Sequence, residues 1–200
     1  ADLLLARQQY TDAIDVYQNF IQAHPDSEQA PHYHMRTVEI LAEAGFADQI
    51  PAAQAAFVTG YGIRSAYWQQ APDTVRAFIR EQLITLLPEL GNRHYHLASE
   101  ASTDQRRRSE YWQAATYYQD FVRTFPAHEQ TPEILFLLAE TWLAVDQRGE
   151  AIEAFEQVAY DHGDHERAAE AGYAALLIYE HPSLTGDSAS PWIDLQQLSR

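Results

Sequence analysis

The sequence predicts an all-α protein built as a stack of antiparallel helix hairpins. Two observations carry that expectation. Apolar residues recur at spacings of three and four almost throughout the 200 residues, with no sustained period-two stretch. A six-residue pattern, Tyr10, Ala13, Tyr17, Gln18, Phe20 and Pro25, returns as Tyr111, Ala114, Tyr118, Gln119, Phe121 and Pro126, every pair 101 residues apart. Three periods of about 34 residues give nearly that interval, the length of one helical hairpin repeat. With 46% hydrophobic and 21% charged residues, the chain has enough apolar surface to bury a core.

The spacing predicts helices near 1–8, 10–23, 31–44, 51–60, 73–87, 89–102, 108–124, 132–145, 149–161 and 166–180, with a further short one at 191–198. Several starts are marked chemically. Thr131-Pro132 and Ser190-Pro191 each set a hydroxyl at the cap and a proline at the first helical position, where its missing N–H costs nothing. Asp73 is expected to cap the helix beginning at Thr74, and Asp164 the one beginning at 166. Pro25, Pro126 and Pro182 follow helix ends, because the residue before proline avoids the α region. Pro88 interrupts the run Val75, Phe78, Ile79, Gln82, Leu83, Leu86, and predicts a kink or break before Leu90.

The repeated alanine followed four residues later by an aromatic has a packing reason. From Ala114 and Tyr118 a step of 37 reaches Ala151 and Phe155, so the pair occurs three times. An alanine lets the neighbouring helix approach, and the aromatic fills the gap one turn along. No single hairpin buries its apolar face alone, so the units must stack.

These residues resemble the tetratricopeptide repeat (TPR) family. The fullest copy is 132–165, with Leu135, Leu138, Ala139 and Trp142 in its first helix and Ala151 and Phe155 in its second. Val158 and Gly163 stand where the family has a small residue and a proline. A copy at the start fits through Ala13, Tyr17, Phe20 and Pro25, with Ala1 and Leu4 at the end of its first helix, which implies that the chain begins inside a repeat of a longer protein. Ala53, Phe57 and Gly60 suggest a degenerate copy after Pro31–Ala44, and Ala114–Pro126 one whose first helix is 89–102. The resemblance implies a TPR-like α-solenoid over 1–182 with a divergent, non-repeat segment about 61–88, and a tail over 183–200 with a short helix.

Charge narrows the partners. There are 29 acidic and 13 basic residues, all of the latter arginine, for a net charge of −16. A nucleic acid is excluded, since its phosphates call for clustered cations, and an anionic membrane surface repels such a chain. No apolar run approaches the roughly 18 residues of a membrane-spanning helix. Residues 126–187 hold 13 acidic residues against Arg148 and Arg167, a net −11 that favours a cationic or neutral partner. The absence of cysteine removes disulfides, thiolate metal sites and cysteine nucleophiles.

Catalytic constellations are missing. Gly60-Tyr61-Gly62 is a turn and not a phosphate loop, and there is no Gly-x-Ser-x-Gly elbow. Nine histidines invite a metal reading, but His32/His34 and His94/His96, two apart, point to different sides of a helix. His96/Glu100 and His162/Glu166 have the i,i+4 spacing for one face; packing or solvated histidines are the preferred reading, and no metal, cofactor or catalytic residue is assigned. The run Asp161 to Glu166 is expected at an inter-helix turn, where a weak site for a hard cation is the alternative reading. Arg106-Arg107-Arg108 is expected in a polar connection, its last arginine opening a helix; docking onto an acidic neighbour is the alternative.

In TPR proteins the first helices of successive repeats line the binding surface. Carried over, that implies Glu133, Phe136 and Glu140, and His32, Met35 and Glu39, as partner-binding positions, offering apolar contact rimmed by acids. Tyr67 and Trp68, with Tyr61 and Arg64 in the divergent segment, are added because aromatics and arginine are enriched at hot spots; packing onto the solenoid is their plainer role. The grip on an acidic peptide tail known in some TPR domains needs basic residues there, and only Arg36 is near. The expected function is a non-enzymatic scaffold for a protein or peptide, with homo-oligomerisation allowed. The alternatives are a helical metal-binding protein or enzyme using the His/Glu pairs, and a structural segment whose groove the parent chain fills. The Tyr-x-x-Ala…Tyr…Phe…Pro pattern is similar to bacterial cell-envelope TPR proteins, which implies a periplasmic or envelope location and a role in envelope assembly, with the cytoplasm as the alternative.

Overall fold

A computed structural model describes residues 1–180, and they are entirely helical and irregular, with no strand among them. The helices are α1 (Asp2–Ala6), α2 (Tyr10–Ala23), α3 (Ala30–Glu43), α4 (Ile50–Tyr61), α5 (Ala66–Gln70), α6 (Asp73–Ser99), α7 (Asp104–Thr124), α8 (Thr131–Ala144), α9 (Arg148–Asp161) and α10 (Ala168–Glu180). The helix expected at 191–198, with its Ser190-Pro191 start, lies outside the described residues, as does Pro182. No described helix is long and apolar enough to cross a membrane. The chain divides into two compact units, Ala1–Leu86 and Leu87–Arg200, the division falling inside α6.

In the first unit consecutive helices pack in order, α1 on α2, α2 on α3 and α3 on α4. Ala13, Ile14, Ile40 and Leu41 form its buried centre, with Leu4, Leu5, Tyr10, Tyr17, Phe46, Ile50 and Ala53 closing round it. In the second, α7, α8, α9 and α10 pack each on the next. The repeated small residues sit where the packing argument needs them: Ala13, Ala114 and Ala151 have no exposed surface, and Tyr118 and Phe155 are buried beside them.

Three hairpin turns share one backbone solution. Gln8, Gly45 and Asp146 follow α1, α3 and α8, and take φ of 59°, 76° and 63°. The next N–H reaches back across each turn, Gln9 to Leu4 O, Phe46 to Leu41 O and Gln147 to Trp142 O, each at 2.9 Å. This is the left-handed helix stop that satisfies carbonyls otherwise left open, and glycine fills it without strain. Gln8 and Asp146 carry a Cβ there, so Gln8→Gly and Asp146→Gly are each expected to raise unfolding free energy by about 0.5–1 kcal/mol, read from urea midpoints.

Gly91 marks a close approach in the second unit. A Cβ there would lie 2.4 Å from the Tyr118 ring, so α6 meets α7 through a bare backbone. The Tyr118 hydroxyl donates to Asn92 Oδ1 at 2.7 Å, fixing the ring. Gly91→Ala is expected to cost about 1–3 kcal/mol by overpacking, although alanine favours helix, and chemical denaturation measures it.

Several sequence expectations are corrected. Pro88 does not divide two helices, for α6 runs unbroken from Asp73 to Ser99. Leu83, Leu86, Leu87 and Leu90 are all buried on either side of the proline, and that packing outweighs one missing hydrogen bond. Within 61–88 a short helix that the spacing did not predict precedes the expected one: Ser65 Oγ accepts from the Trp68 N–H at 3.0 Å and starts α5. Arg106, Arg107 and Arg108 lie inside α7, because Thr103 caps it earlier through the Arg106 N–H at 3.3 Å. Thr131 does not cap α8; its hydroxyl donates to Phe125 O at 2.5 Å and ties down the preceding turn. Asp73 is already helical, pairing with Arg76 in the first turn of α6. Asp164 is exposed in a turn, and α10 begins only at Ala168.

Candidate functional site

Pro132 sets α8 in register so that Glu133, Phe136 and Glu140 follow at steps of three and four on one face. The second half of α6 contributes Tyr95, whose ring lies edge-on to Tyr111 of α7 with centroids 5.4 Å apart. From the other side comes Arg167, at the end of the turn into α10, followed by Glu170 one turn on. The Arg167 N–H donates to His165 Nδ1 at 3.3 Å, which holds the turn.

The guanidinium of Arg167 lies over the Phe136 ring, its Cζ 3.3 Å from the ring centroid. Nη1 donates to Glu133 Oε1 at 3.2 Å. Glu170 takes a forked pair, Nε to Oε2 at 3.1 Å and Nη2 to Oε1 at 3.2 Å. Nη2 is 3.9 Å from Glu140 Oε1, an ion pair without a hydrogen bond. One guanidinium thus faces three carboxylates over an aromatic floor, the geometry in which stacking and forked pairing act together. Below it, Phe136 meets Phe155 of α9 with centroids 5.1 Å apart.

Glu140 is 6% exposed. Its Oε2 and the Tyr95 hydroxyl are buried with no hydrogen-bond partner among the described residues. Burial raises the Glu140 carboxyl to about 7 against the pull of Arg167, and the charges of Glu170 and Glu133 push the same way as burial. The Tyr95 phenol is pushed up by burial first and by Glu140 second. For Arg167, burial opposes the charge, but the bonds to Glu170 and the surrounding carboxylates overcome it and raise its basicity.

The other expected positions belong to the first unit and are placed separately. His32 stacks on Phe78 of α6, ring centroids 3.8 Å apart. Met35 is half-buried, and exposed Glu39 holds Arg36 at 2.7 Å together with Glu43 at 3.0 Å. The Tyr67 hydroxyl donates to Ser27 O at 3.0 Å while its ring meets Tyr61 edge-on, so it braces α5 against the α2–α3 turn. Trp68 is half-buried. His34, hydrogen-bonded to Ala53 O at 3.1 Å and edge-on to Phe57, is a packing histidine whose basicity burial lowers.

His96 lies in the last turn of α6 with Glu100 just past its end, while His162 and Glu166 lie in the α9–α10 turn, off any helical face. Among the described residues no three His, Asp or Glu side chains stand together to hold a metal ion. His94 instead meets Glu110 of α7 at 2.7 Å. Sequence reasoning missed Arg167, Glu170 and Tyr95. Arg167 carried a signal, being one of only two cations in the acidic stretch 126–187. Tyr95 carried none, because its partners lie on other helices.

Residues 1–27 match the family model described as Tetratricopeptide repeat, the span of α1, α2 and the proline beyond them. No curated protein and no solved structure matches the chain.

Proposed function

We propose that this tetratricopeptide-repeat protein is a non-enzymatic scaffold that binds a protein or peptide through its acidic, aromatic-floored surface, the partner being neutral or cationic. Tetratricopeptide repeats mediate protein–protein interaction, and the helix pairing seen in both units is of that kind. The single observation that carries the reading is the cluster in which Glu133 of α8 and Glu170 of α10 stand half-exposed beside Arg167, which covers the buried Phe136. Such an edge gives a positive side chain two part-exposed carboxylates to meet. Tyr173, Leu176 and Tyr179 add exposed apolar area on α10. In the first unit, the face bearing His32, Met35 and Glu39, with Tyr67 and Trp68 nearby, is proposed as a second contact region.

The placement proposed for the scaffold is the bacterial envelope, in the periplasm and in envelope assembly. What supports it is the Tyr-x-x-Ala…Tyr…Phe…Pro pattern, together with a sequence that has no lysine and only arginine as its basic residue. The charge disfavours nucleic acid as partner, and association with a second copy is compatible with the surface.

A peptide array carrying basic, neutral and acidic sequences tests the reading. Binding is expected to basic and neutral peptides and not to acidic ones, and the basic signal is expected to fade as added salt shortens the Debye length from about 10 Å to about 3 Å. Uniform silence, or a preference for acidic peptides, refutes it.

A further inference from the structure

The Arg167 cluster has more carboxylate than one cation can balance. Three glutamates surround one guanidinium, and the carboxylate closest to the core, Glu140, keeps one oxygen without any hydrogen bond although the residue is over nine-tenths buried. A buried acceptor left open marks a place where a donor is wanted. The chain itself shows which donor fits: a guanidinium lying on Phe136 at 3.3 Å, its edge toward the carboxylates. An ammonium would keep the charge but lose the planar stacking and the fork.

Arg167 is also placed to give way. It precedes α10 in a turn rather than standing within a helix, and its closest pairing is with Glu170, three residues on. That local pair survives if the side chain swings outward, whereas the contacts to Glu133, Glu140 and Phe136 belong to another helix and are given up. A second guanidinium entering over Phe136 would then find Glu133 and Glu140, and two cations would face three carboxylates in place of one. Resting on the scaffold reading above, we infer that the Phe136 face between Glu133, Glu140 and Glu170 is an arginine-binding site whose resident occupant is Arg167, and that an arginine side chain of a partner peptide exchanges with it.

The test uses the whole chain and two capped tripeptides, Gly-Arg-Gly and Gly-Lys-Gly, followed by calorimetry and by the shift in melting temperature. Arg167→Ala empties the site and removes the competition, so it is expected to bind the arginine peptide about tenfold more tightly than the parent protein. The lysine peptide is expected to gain far less. Adding Phe136→Leu to Arg167→Ala is expected to erase the preference for arginine. Should Arg167→Ala fail to fold, Arg167→Lys preserves the charge and the short link to Glu170 while removing the stack, and is expected to show the same direction of change. Equal affinity of parent and variant for the arginine peptide, or equal response to arginine and lysine, overturns the inference. Basic array peptides that bind without responding to Arg167→Ala or Phe136→Leu would sink this site and leave the scaffold standing. A tenfold gain for the tripeptide beside a silent array would do the reverse.

Discussion

Tyr118→Ala is expected to lower the unfolding free energy of the 87–200 unit by about 3–5 kcal/mol, the range for deleting a fully buried aromatic. The ring is wholly enclosed, it contacts the bare backbone at Gly91, and its hydroxyl holds Asn92 at 2.7 Å. The loss combines transfer of the ring to water with a cavity that α6 and α7 close only by shifting. Tyr118→Phe isolates the hydroxyl and is expected to cost about 1 kcal/mol. Urea melts of the parent and both variants, with unchanged slopes, give the comparison. Gly91→Ala should be less harmful on the Tyr118→Ala background than alone, because the space it needs has been opened; strictly additive effects would contradict the contact.

Glu140→Gln is expected to change the pH dependence of stability. Burial raises the folded carboxyl to about 7, above its ordinary value near 4.5, so the folded protein holds a proton that the unfolded chain has released. Stability from this group is therefore fully present below pH 4.5, declines as pH rises to about 7, and is level above that. The whole effect is roughly 3 kcal/mol, since each tenfold change in proton affinity corresponds to about 1.4 kcal/mol. Glutamine keeps the shape without the charge, so the variant should match the parent near pH 4 and exceed it by up to roughly 3 kcal/mol at pH 8. Denaturation curves that run parallel across that range would show Glu140 to be paired more fully than its open oxygen indicates.

The functional consequences follow from the same crowding. A site that keeps a carboxylate buried and partly open, under a guanidinium drawn from a turn, trades stability for readiness to accept a second cation. That is a reason for arginine at 167 and glutamate at 140 that packing alone does not supply, because an apolar pair of similar volume would fill the same space.

The sequence by itself determined the all-helical class and most of the helices in their order, though not the short α5 or the unbroken α6. Periods of three and four, the 101-residue return of Tyr, Ala, Tyr, Phe and Pro, and the small-then-large pairs are local or strictly repeated signals. Each one reports a buried helical face whatever lies opposite. Glu133, Phe136 and Glu140 came from the resemblance to the repeat family, and steps of three and four along α8 put them on one face. What required tertiary structure was everything that depends on a neighbour. Pro88 stays within one helix because leucines on both sides are held in the core. Gly91 matters because Tyr118 arrives from α7. Phe136, expected to offer itself to a partner, is only 2% exposed, since Arg167 from the start of α10 covers it. Spacing along one helix tells which residues share a side. Which charge comes to meet them is fixed by the chain thirty residues away, through contacts that leave no periodic trace.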